Sequence, residues 1–205
     1  MGLNEGRENT GLWSVVLGAG AGSRFGGDKL RAPWAGGLLV EAALAAARAA
    51  PVDGVILVTR PGDRLVEDAA LRIVEAADWA KGMAASLKAG IAALPASAAG
   101  AYVFLGDMPR TPVAVLPTLA SALRAGAPAA APTWDGKLGH PVLFSAALFP
   151  DLMALCGDRG ARRVLERLGD RLARIPAPDD GVLFDVDTPA ALIRASSNPG
   201  GAPSD

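Results

Sequence analysis

Cysteine, histidine and aromatic residues are scarce in this sequence of 205 residues, which has one Cys, one His and only 5% Phe, Trp and Tyr. The single cysteine, Cys156, excludes an intramolecular disulfide framework and a cysteine-rich zinc site, and we expect it to be a small buried apolar residue. The single histidine, His140, has no serine or cysteine motif that would support a catalytic triad. Most covalent mechanisms are therefore excluded.

The charges of the chain nearly cancel, with 20 Lys and Arg against 21 Asp and Glu. A nucleic-acid-binding protein needs a surplus of basic residues to replace phosphate counterions, so we predict no nucleic-acid partner. The N-terminus lacks the layout of a signal peptide, and Pro95 and Gly100 interrupt the longest uncharged stretch, residues 89–106, unlike a membrane span. We predict a cytoplasmic protein that acts on small molecules, with no membrane partner.

Short apolar segments alternate along the chain with longer segments in which apolar residues have helical spacing. This alternation is typical of a mostly parallel sheet covered by helices on both faces. The predicted strands are 13–17, 54–59, 71–74, 101–105, 129–132, 142–144 and 182–185, and the predicted helices are 38–50, 63–69, 83–93, 111–124, 159–168 and 189–195. We predict one Rossmann-like, three-layer α/β/α domain over residues 12–195, with flexible termini at 1–11 and 196–205.

A glycine-rich loop follows the first predicted strand. It reads Leu17-Gly18-Ala19-Gly20-Ala21-Gly22-Ser23-Arg24-Phe25-Gly26, and Lys29 follows shortly after. Glycines let the backbone expose N–H groups to an anion, and the two basic residues could bracket a polyphosphate. The pattern alone leaves open a Rossmann dinucleotide turn, another phosphate loop or a plain loop. The second predicted strand ends without the acidic residue of a Rossmann site, and the lysine lacks the Ser or Thr of a Walker loop, which favours a longer nucleotide loop.

This loop and four later blocks resemble the signature of the sugar-phosphate and cofactor nucleotidyltransferases. The later blocks are Trp79-Ala80-Lys81-Gly82-Met83-Ala84-Ala85-Ser86-Leu87, Leu105-Gly106-Asp107-Met108-Pro109, Gly139-His140-Pro141-Val142-Leu143-Phe144 and Asp185-Val186-Asp187-Thr188-Pro189. Within these enzymes, the chain is most similar to the molybdenum-cofactor nucleotidyltransferase family, the molybdopterin guanylyl- and cytidylyltransferases. The segment Gly157-Asp158-x-Gly160-Ala161-Arg162 resembles the cytidylyltransferase-like branch.

The resemblance implies a nucleotidyltransferase fold and a Mg²⁺-dependent enzyme. The implied reaction moves a nucleotidyl group from CTP or GTP to a phosphorylated acceptor, with molybdopterin or the molybdenum cofactor favoured, and releases pyrophosphate. A molybdoenzyme or its chaperone is a candidate partner. Two departures from the family pattern stand out, namely Gly22 in place of a frequent Ser, and the segment 36–39, which lacks the usual Pro-Leu.

Asp107 is the first candidate metal ligand, because it directly follows a predicted strand at the edge of the sheet where ligands bind in open α/β folds. Mg²⁺ prefers carboxylate and phosphate oxygens together, which makes Asp187 or Asp185 the candidate second carboxylate. The resemblance implies the same metal pairing. As alternatives, Asp107 could simply form a turn, and Asp187 could cap a helix.

The remaining roles concern the nucleotide. The loop amides and Arg24 would hold the β- and γ-phosphates, and Lys29 would neutralise charge at the α-phosphate. Gly82 and Ser86 would contact the base or ribose, the alternative being a helix cap and a solvated helix residue, and we expect Trp79 in the core. The catalytic residues predicted are Arg24, Lys29 and Asp107. The nucleotide-binding residues predicted are Leu17, Gly18, Ala19, Gly20, Gly22, Arg24, Lys29, Gly82, Ser86 and Asp107.

The resemblance also implies an acceptor pocket bordered by His140, Asp158, Gly160 and Arg162, the last facing an anionic substrate. A lone histidine could instead be a structural hydrogen-bonding group, and Asp158 could cap a helix. Three other functions stay open: a transferase of the same fold acting on another small phosphate, an NAD(P)-binding Rossmann oxidoreductase, and a non-catalytic nucleotide-binding or chaperone-like module.

Overall fold

The computed structural model describes residues 10–20, 22, 25, 27–157 and 160–196. Within them, ten strands and six α-helices are joined by loops and short 3-10 turns. The strands are β1 Leu12–Leu17, β2 Pro33–Trp34, β3 Gly37–Leu38, β4 Gly54–Thr59, β5 Arg72–Glu75, β6 Gly100–Leu105, β7 Ala129–Trp134, β8 Lys137–Leu138, β9 Val142–Ser145 and β10 Leu172–Pro176. The helices are α1 Leu39–Ala49, α2 Met83–Ala92, α3 Leu116–Arg124, α4 Phe149–Met153, α5 Arg162–Leu168 and α6 Pro189–Ser196.

Eight strands form the central sheet, in the order β10-β7-β9-β6-β1-β4-β5 with β8 paired to β7, while β2 and β3 form a separate hairpin. Strand β1 lies between β4 and β6 and is parallel to both. The pairs β4–β5 and β7–β10 are also parallel, whereas β9 runs antiparallel to both of its neighbours, β6 and β7. The prediction of a mostly parallel sheet is therefore confirmed.

Successive side chains of the central strands alternate between two cores, one on each face of the sheet. Val16 and Leu57 pack on one face in a cluster that includes residues of α1 and α3. Val15 and Ile56 pack on the other face with residues of α2, α4 and α5. The result is a three-layer α/β/α arrangement, as the alternation of apolar and helical segments predicts.

The strand predicted at residues 182–185 is wrong. A 3-10 turn at Asp180–Val182 leads into this segment. Val182 is fully buried because the turn packs against the chain at Gly139. The N–H of His140 donates to the Val182 carbonyl over 2.8 Å. The last strand is β10 instead, which sequence reasoning missed. As an edge strand it alternates buried and exposed residues and ends in proline, so it lacks a continuous apolar run.

Two other predicted features also differ in the structure. The helix predicted for residues 63–69 is absent, and that segment is irregular and buries Leu65 in the core. The helix predicted for 111–124 begins later, because a 3-10 turn at Val113–Val115 precedes α3 and places Pro117 in the first helical turn, where its missing N–H is tolerated. The hairpin of β2 and β3 and the short helix α4 were not predicted.

Cys156 is exposed, which corrects the expectation of a buried apolar residue. It lies in the loop after α4 and is not part of a packed element. Among the residues described, none of the helices combines the length and the hydropathy that crossing a membrane would need. The uncharged segment considered above consists of the end of α2, a turn and β6.

The C-terminal segment returns to the carboxyl edge of the sheet. The N–H of Val186 donates to the carbonyl of Asp107 over 3.0 Å, directly beyond the end of β6. Val186 is fully buried in a small cluster with Trp34 and Leu39, against which Phe184 also packs. This packing brings the acidic residues on either side of Val186 next to the end of β6.

Candidate active site

A cavity of about 560 Å³ opens at the carboxyl ends of the central strands. It lies where the loops after β1 and β6 meet, as expected for a ligand site in an open α/β sheet. Its lining consists of Leu17, Ala19, Gly20, Gly22, Asp28, Lys29, Leu30, Arg60, Trp79, Ala80, Gly82, Met83, Ser86, Leu105 and Asp107. Eight of the ten residues predicted for the nucleotide are therefore brought together, the exceptions being Gly18 and Arg24. Arg24 lies outside the described residues.

Gly18 packs against β4 and does not make the predicted contact with phosphate. Its N–H donates to the carbonyl of Val58 over 2.8 Å, so this amide is not available to an anion. A Cβ at this position would stand 2.9 Å from the same carbonyl oxygen, so the close approach of the loop to β4 requires glycine.

Gly22 explains one departure from the family pattern. Its φ is +61°, and a Cβ there would lie 2.9 Å from the carbonyl oxygen of Gly27. The N–H of Phe25 donates to the Gly22 carbonyl over 2.9 Å and closes a turn. Serine would be strained in this conformation, so the glycine is required by the path that the loop takes in this chain.

Lys29 contacts two acidic residues from distant parts of the chain, just beyond the carboxyl end of β6. Its Nζ lies 2.6 Å from Oδ2 of Asp107 and 3.2 Å from Oδ1 of Asp187. The side chains of Lys29, Asp107 and Asp187 are 13%, 23% and 42% exposed. Burial alone would lower the pKa of Lys29, but the charges and hydrogen bonds of the two carboxylates outweigh it and raise this pKa above its ordinary value. The ammonium is therefore held in its charged form between two carboxylates.

Asp185 stands apart from this contact. It is exposed overall, and desolvation raises the pKa of its carboxyl, with the negative charges of Asp187 and Asp107 adding to the effect. Within the described ranges, no three His, Cys, Asp or Glu side chains are grouped closely enough to hold a metal ion by themselves. Asp107 and Asp187 are the pair of carboxylates that both contact the Lys29 ammonium, and Asp185 does not take part in this contact.

The far end of the cavity is formed by the start of α2. Gly82 has a φ of +106° at the N-cap position, and Ser86 is only 5% exposed, so it is not the solvated helix residue of the alternative interpretation. Trp79 is half-buried, and its ring lines the cavity as well as contacting the core. Sequence reasoning missed Arg60, whose guanidinium carbon lies 4.9 Å from the centre of the Trp79 ring.

A second cavity, of about 920 Å³, adjoins the first. The two share Leu17, Met83 and Leu105 in their linings. Of the residues predicted for the acceptor, the second cavity is lined by His140, Gly160 and Arg162, and Asp158 lies outside the described residues. The lining residues not predicted are Leu17, Met83, Leu87, Val103, Leu105, Gly136, Lys137, Leu138, Gly139, Val142, Phe144, Ala161, Leu165, Glu166, Arg174 and Leu183.

His140 borders this second cavity as a half-buried residue whose Nδ1 atom is buried. Burial lowers the pKa of the imidazole below its ordinary value, although the carbonyl of Val103 and the charge of Asp107 partly oppose the shift. The imidazole is therefore neutral at pH 7. Its Nδ1 atom is buried and has no hydrogen-bond partner among the described residues, which is unusual for a buried polar atom.

The second cavity carries more positive than negative charge. Lys137, Arg162 and Arg174 line it, with Glu166 as the one acidic residue in its described lining. Glu166 pairs with Arg162 over 3.0 Å, and both side chains are well exposed, so this ion pair is weak. A net positive lining with apolar walls suits an anionic ligand that has an apolar body.

Comparison with known proteins shows the family of the chain. The MobA-like NTP transferase domain matches residues 14–172, which is most of the chain. The chain belongs to this family. The family resemblance inferred from the motif blocks is thus confirmed, and the protein is a member of a nucleotidyltransferase family. The solved structure of the Mycobacterium tuberculosis rv0371c homolog from Mycobacterium sp. strain JC1 has the same fold, with a TM-score of 0.81 and 30% identity over 93% of this chain and 98% of that one.

Three relatives of this chain have different names. The chain is 32% identical to the purine catabolism protein PucB of Bacillus subtilis, covering 87% of this chain and 92% of the relative. It is 32% identical to the nicotine blue oxidoreductase of Paenarthrobacter nicotinovorans, covering 88% and 94%. It is 26% identical to the molybdenum cofactor cytidylyltransferase of Escherichia coli, covering 88% and 93%.

Proposed function

We propose that the protein transfers a nucleotidyl group from CTP or GTP to a phosphorylated acceptor and releases pyrophosphate. The observation that carries this proposal is the Lys29–Asp107–Asp187 cluster, which lies at the glycine-loop cavity and beside a second, positively lined cavity. Two adjoining cavities with a charged cluster at their edge are what a reaction between two anionic substrates requires. The family membership supports the same reaction.

The carboxylates of this site suit Mg²⁺. Asp107 and Asp187 both contact one cationic nitrogen, so their oxygens converge on a point where a cation is favourable. Mg²⁺ is commonly held by one or two carboxylates together with substrate phosphates, and here the described residues offer two carboxylates and no larger cluster. Asp107 and Asp187 would hold the ion, which when bound supplies charge neutralisation on the triphosphate.

The protein's own groups then position the reactants. In the reaction, an oxygen of the acceptor phosphate forms a bond to the α-phosphorus of the NTP, while the bond from that phosphorus to the bridging oxygen breaks and pyrophosphate departs with the electron pair. Lys29 would neutralise charge at the α-phosphate, and the N–H groups of the glycine loop would hold the outer phosphates. No general base is required, because a phosphate monoester is already largely ionised at neutral pH.

For the acceptor, we propose molybdopterin or the molybdenum cofactor. The name of one relative, a molybdenum cofactor cytidylyltransferase, supports this choice. The cations at 137, 162 and 174 would supply positive groups for an anionic heterocycle in the second cavity, which His140 also lines. Other relatives are named for purine catabolism and nicotine blue, so the acceptor has to be tested directly.

The test is pyrophosphate release from each of the four NTPs, with Mg²⁺ and with molybdopterin or another phosphorylated acceptor. We expect release with CTP or GTP, and a loss of about a hundredfold or more in Asp107→Asn, because that variant removes one of the two carboxylates that would hold Mg²⁺ at the triphosphate. Asp170→Asn is the matched control, since Asp170 is exposed and lines neither cavity. No release above background with any pair, or an unchanged rate in Asp107→Asn, would contradict the proposal.

A hydride-transferring oxidoreductase is the second candidate, because one relative at 32% identity is named an oxidoreductase. Strand β4 is followed by Arg60, where an NAD-binding Rossmann site has an acidic residue, although an arginine can accommodate the extra phosphate of NADP. Hydride transfer would not require the Lys29–Asp107–Asp187 cluster. Binding of NADPH, with loss of its absorbance when a substrate is added, would favour this candidate over the transferase.

A further inference from the structure

Arg60 occupies a place in the nucleotide cavity that no motif of the sequence draws attention to. It is the first residue after β4, and it lines the cavity together with the glycine loop and Trp79. Its Nε lies 3.5 Å from the carbonyl oxygen of Ala19, and its Nη2 donates to the carbonyl of Gly20. The guanidinium also lies over the Trp79 ring, at 4.9 Å from the ring centre.

The hydrogen-bond partners of Arg60 differ from those of the arginines that form ion pairs. Five other arginines pair with an Asp or Glu side chain in the described part of the chain. The interactions that Arg60 makes there are with backbone carbonyls and an aromatic ring. A planar guanidinium suits both contacts at once, because its fork of N–H groups can reach two carbonyls while its face stacks on a ring.

The contact with Ala19 has a consequence for the orientation of the loop. In a trans peptide the C=O and the N–H of one unit point in opposite directions. The peptide unit between Ala19 and Gly20 has its carbonyl toward Arg60, so its N–H is turned away from Arg60. Without the guanidinium, the carbonyls of Ala19 and Gly20 would lose this cationic partner, and their negative ends beside the cavity would repel a polyphosphate.

The contact with Trp79 ties the same guanidinium to the other half of the cavity. Trp79 begins the 3-10 turn Trp79–Lys81, which leads directly through Gly82 into α2 and to Ser86. The glycine loop and this turn are far apart in sequence, and Arg60 contacts both of them. One side chain therefore holds the phosphate half and the base half of the cavity in a common arrangement.

We propose that Arg60 is a positioning residue for the nucleotide: it binds the carbonyls of Ala19 and Gly20, so that a triphosphate does not meet their free negative ends, and it fixes Trp79 at the other end of the cavity. This inference rests on the proposed function only in that the cavity binds an NTP. Both of its hydrogen bonds go to the loop, and only one contact goes to the Trp79 ring, so its largest effect falls on the outer phosphates.

The test compares nucleoside triphosphate with monophosphate binding by calorimetry, without acceptor. Arg60→Ala should weaken CTP or GTP binding about tenfold or more, because the loop loses charge-assisted hydrogen bonds. It should weaken CMP or GMP binding by no more than about threefold, the effect of losing the one cation–π contact with Trp79. Arg60→Lys should recover part of the triphosphate affinity, since an ammonium can reach a carbonyl but cannot fork or stack.

Arg48→Ala is the matched control, because Arg48 is exposed, pairs with Asp68 and lies outside both cavities. It should leave both affinities unchanged. In turnover, Arg60→Ala should raise the KM for NTP more than it lowers kcat. Circular dichroism checks the fold, and Arg60→Lys serves as the test if Arg60→Ala is unfolded.

Two results would overturn the inference: equal losses for triphosphate and monophosphate, or a triphosphate affinity unchanged in Arg60→Ala or, where that variant is unfolded, in Arg60→Lys. A wild-type protein that binds no NTP would instead overturn the proposed function together with this inference. The wild-type titration thus separates the two failures.

Discussion

Replacing Lys29 by methionine removes the ammonium that both Asp107 and Asp187 contact, while keeping the length and most of the volume of the side chain. Because each carboxylate oxygen lies within 3.2 Å of one nitrogen, the two oxygens are less than about 6 Å apart. Without Lys29, two negative charges would therefore face each other across a partly buried gap.

The size of the effect follows from Coulomb's law. Two like charges about 6 Å apart at an effective dielectric constant of about 20 repel by about 3 kcal/mol. Asp187 is 42% exposed, and solvent and salt screen it, so we expect Lys29→Met to lower the free energy of unfolding by about 1–2 kcal/mol at low ionic strength. Lys81→Met is the matched control: the Lys81–Asp78 pair is highly exposed, so its loss should cost less than about 0.5 kcal/mol.

The assay is urea unfolding followed by tryptophan fluorescence, with and without Mg²⁺ at constant ionic strength. In Lys29→Met, Mg²⁺ should restore the lost stability, because the ion can take the place of the ammonium between the two carboxylates. The wild-type protein should gain less, since Lys29 already holds that place. Adding Asp187→Asn to Lys29→Met should remove the gain. If Lys29→Met is as stable as the wild-type protein and indifferent to Mg²⁺, the geometric reasoning about this cluster is refuted.

Two further substitutions test the packing around the site. Gly139→Ala would place a Cβ 2.4 Å from the Val182 carbonyl oxygen, so it should lower the free energy of unfolding in urea by about 1–3 kcal/mol. It should also lower turnover, because it displaces the turn that leads to Asp187. An unchanged unfolding midpoint would show that the turn can move without a cost in stability. Tyr102→Phe removes the buried hydrogen bond of 2.7 Å to the Leu116 carbonyl, so it should lower the free energy of unfolding by about 1–3 kcal/mol and leave turnover unchanged. A loss of activity without a loss of stability would contradict a purely structural role for this tyrosine.

The parts of the site that the sequence predicts best are those that depend on local rules. Asp107 follows β6, and the glycine loop follows β1. Because β1 and β6 are parallel, their carboxyl ends lie at the same edge of the sheet. The motif blocks therefore predict which side chains line one cavity, and only Gly18 of the described nucleotide residues fails to do so. Its lack of a side chain serves packing against Val58, a contact that no local pattern indicates.

Arg60 shows how a residue can be missed although a signal exists. The end of the second predicted strand lacks the acidic residue that a Rossmann site needs, and that absence alone gives the arginine no role. The arginine that stands there contacts Ala19 and Trp79, two residues from separate motif blocks. A basic residue at the end of a strand next to a glycine loop is a usable signal, but the position of Trp79 over its guanidinium depends on tertiary packing.

By itself, the sequence determined the family, the mostly parallel sheet and the identity of the candidate phosphate and metal groups, because strand alternation and motif spacing are local properties. Only the tertiary structure decided that Lys29 contacts residues 78 and 158 positions further along the chain, that residues 182–185 form no strand, and that two cavities share one edge. The order of strands in the sheet and the return of the buried Val186 to the end of β6 set these contacts, and periodicity in the sequence carries no information about either.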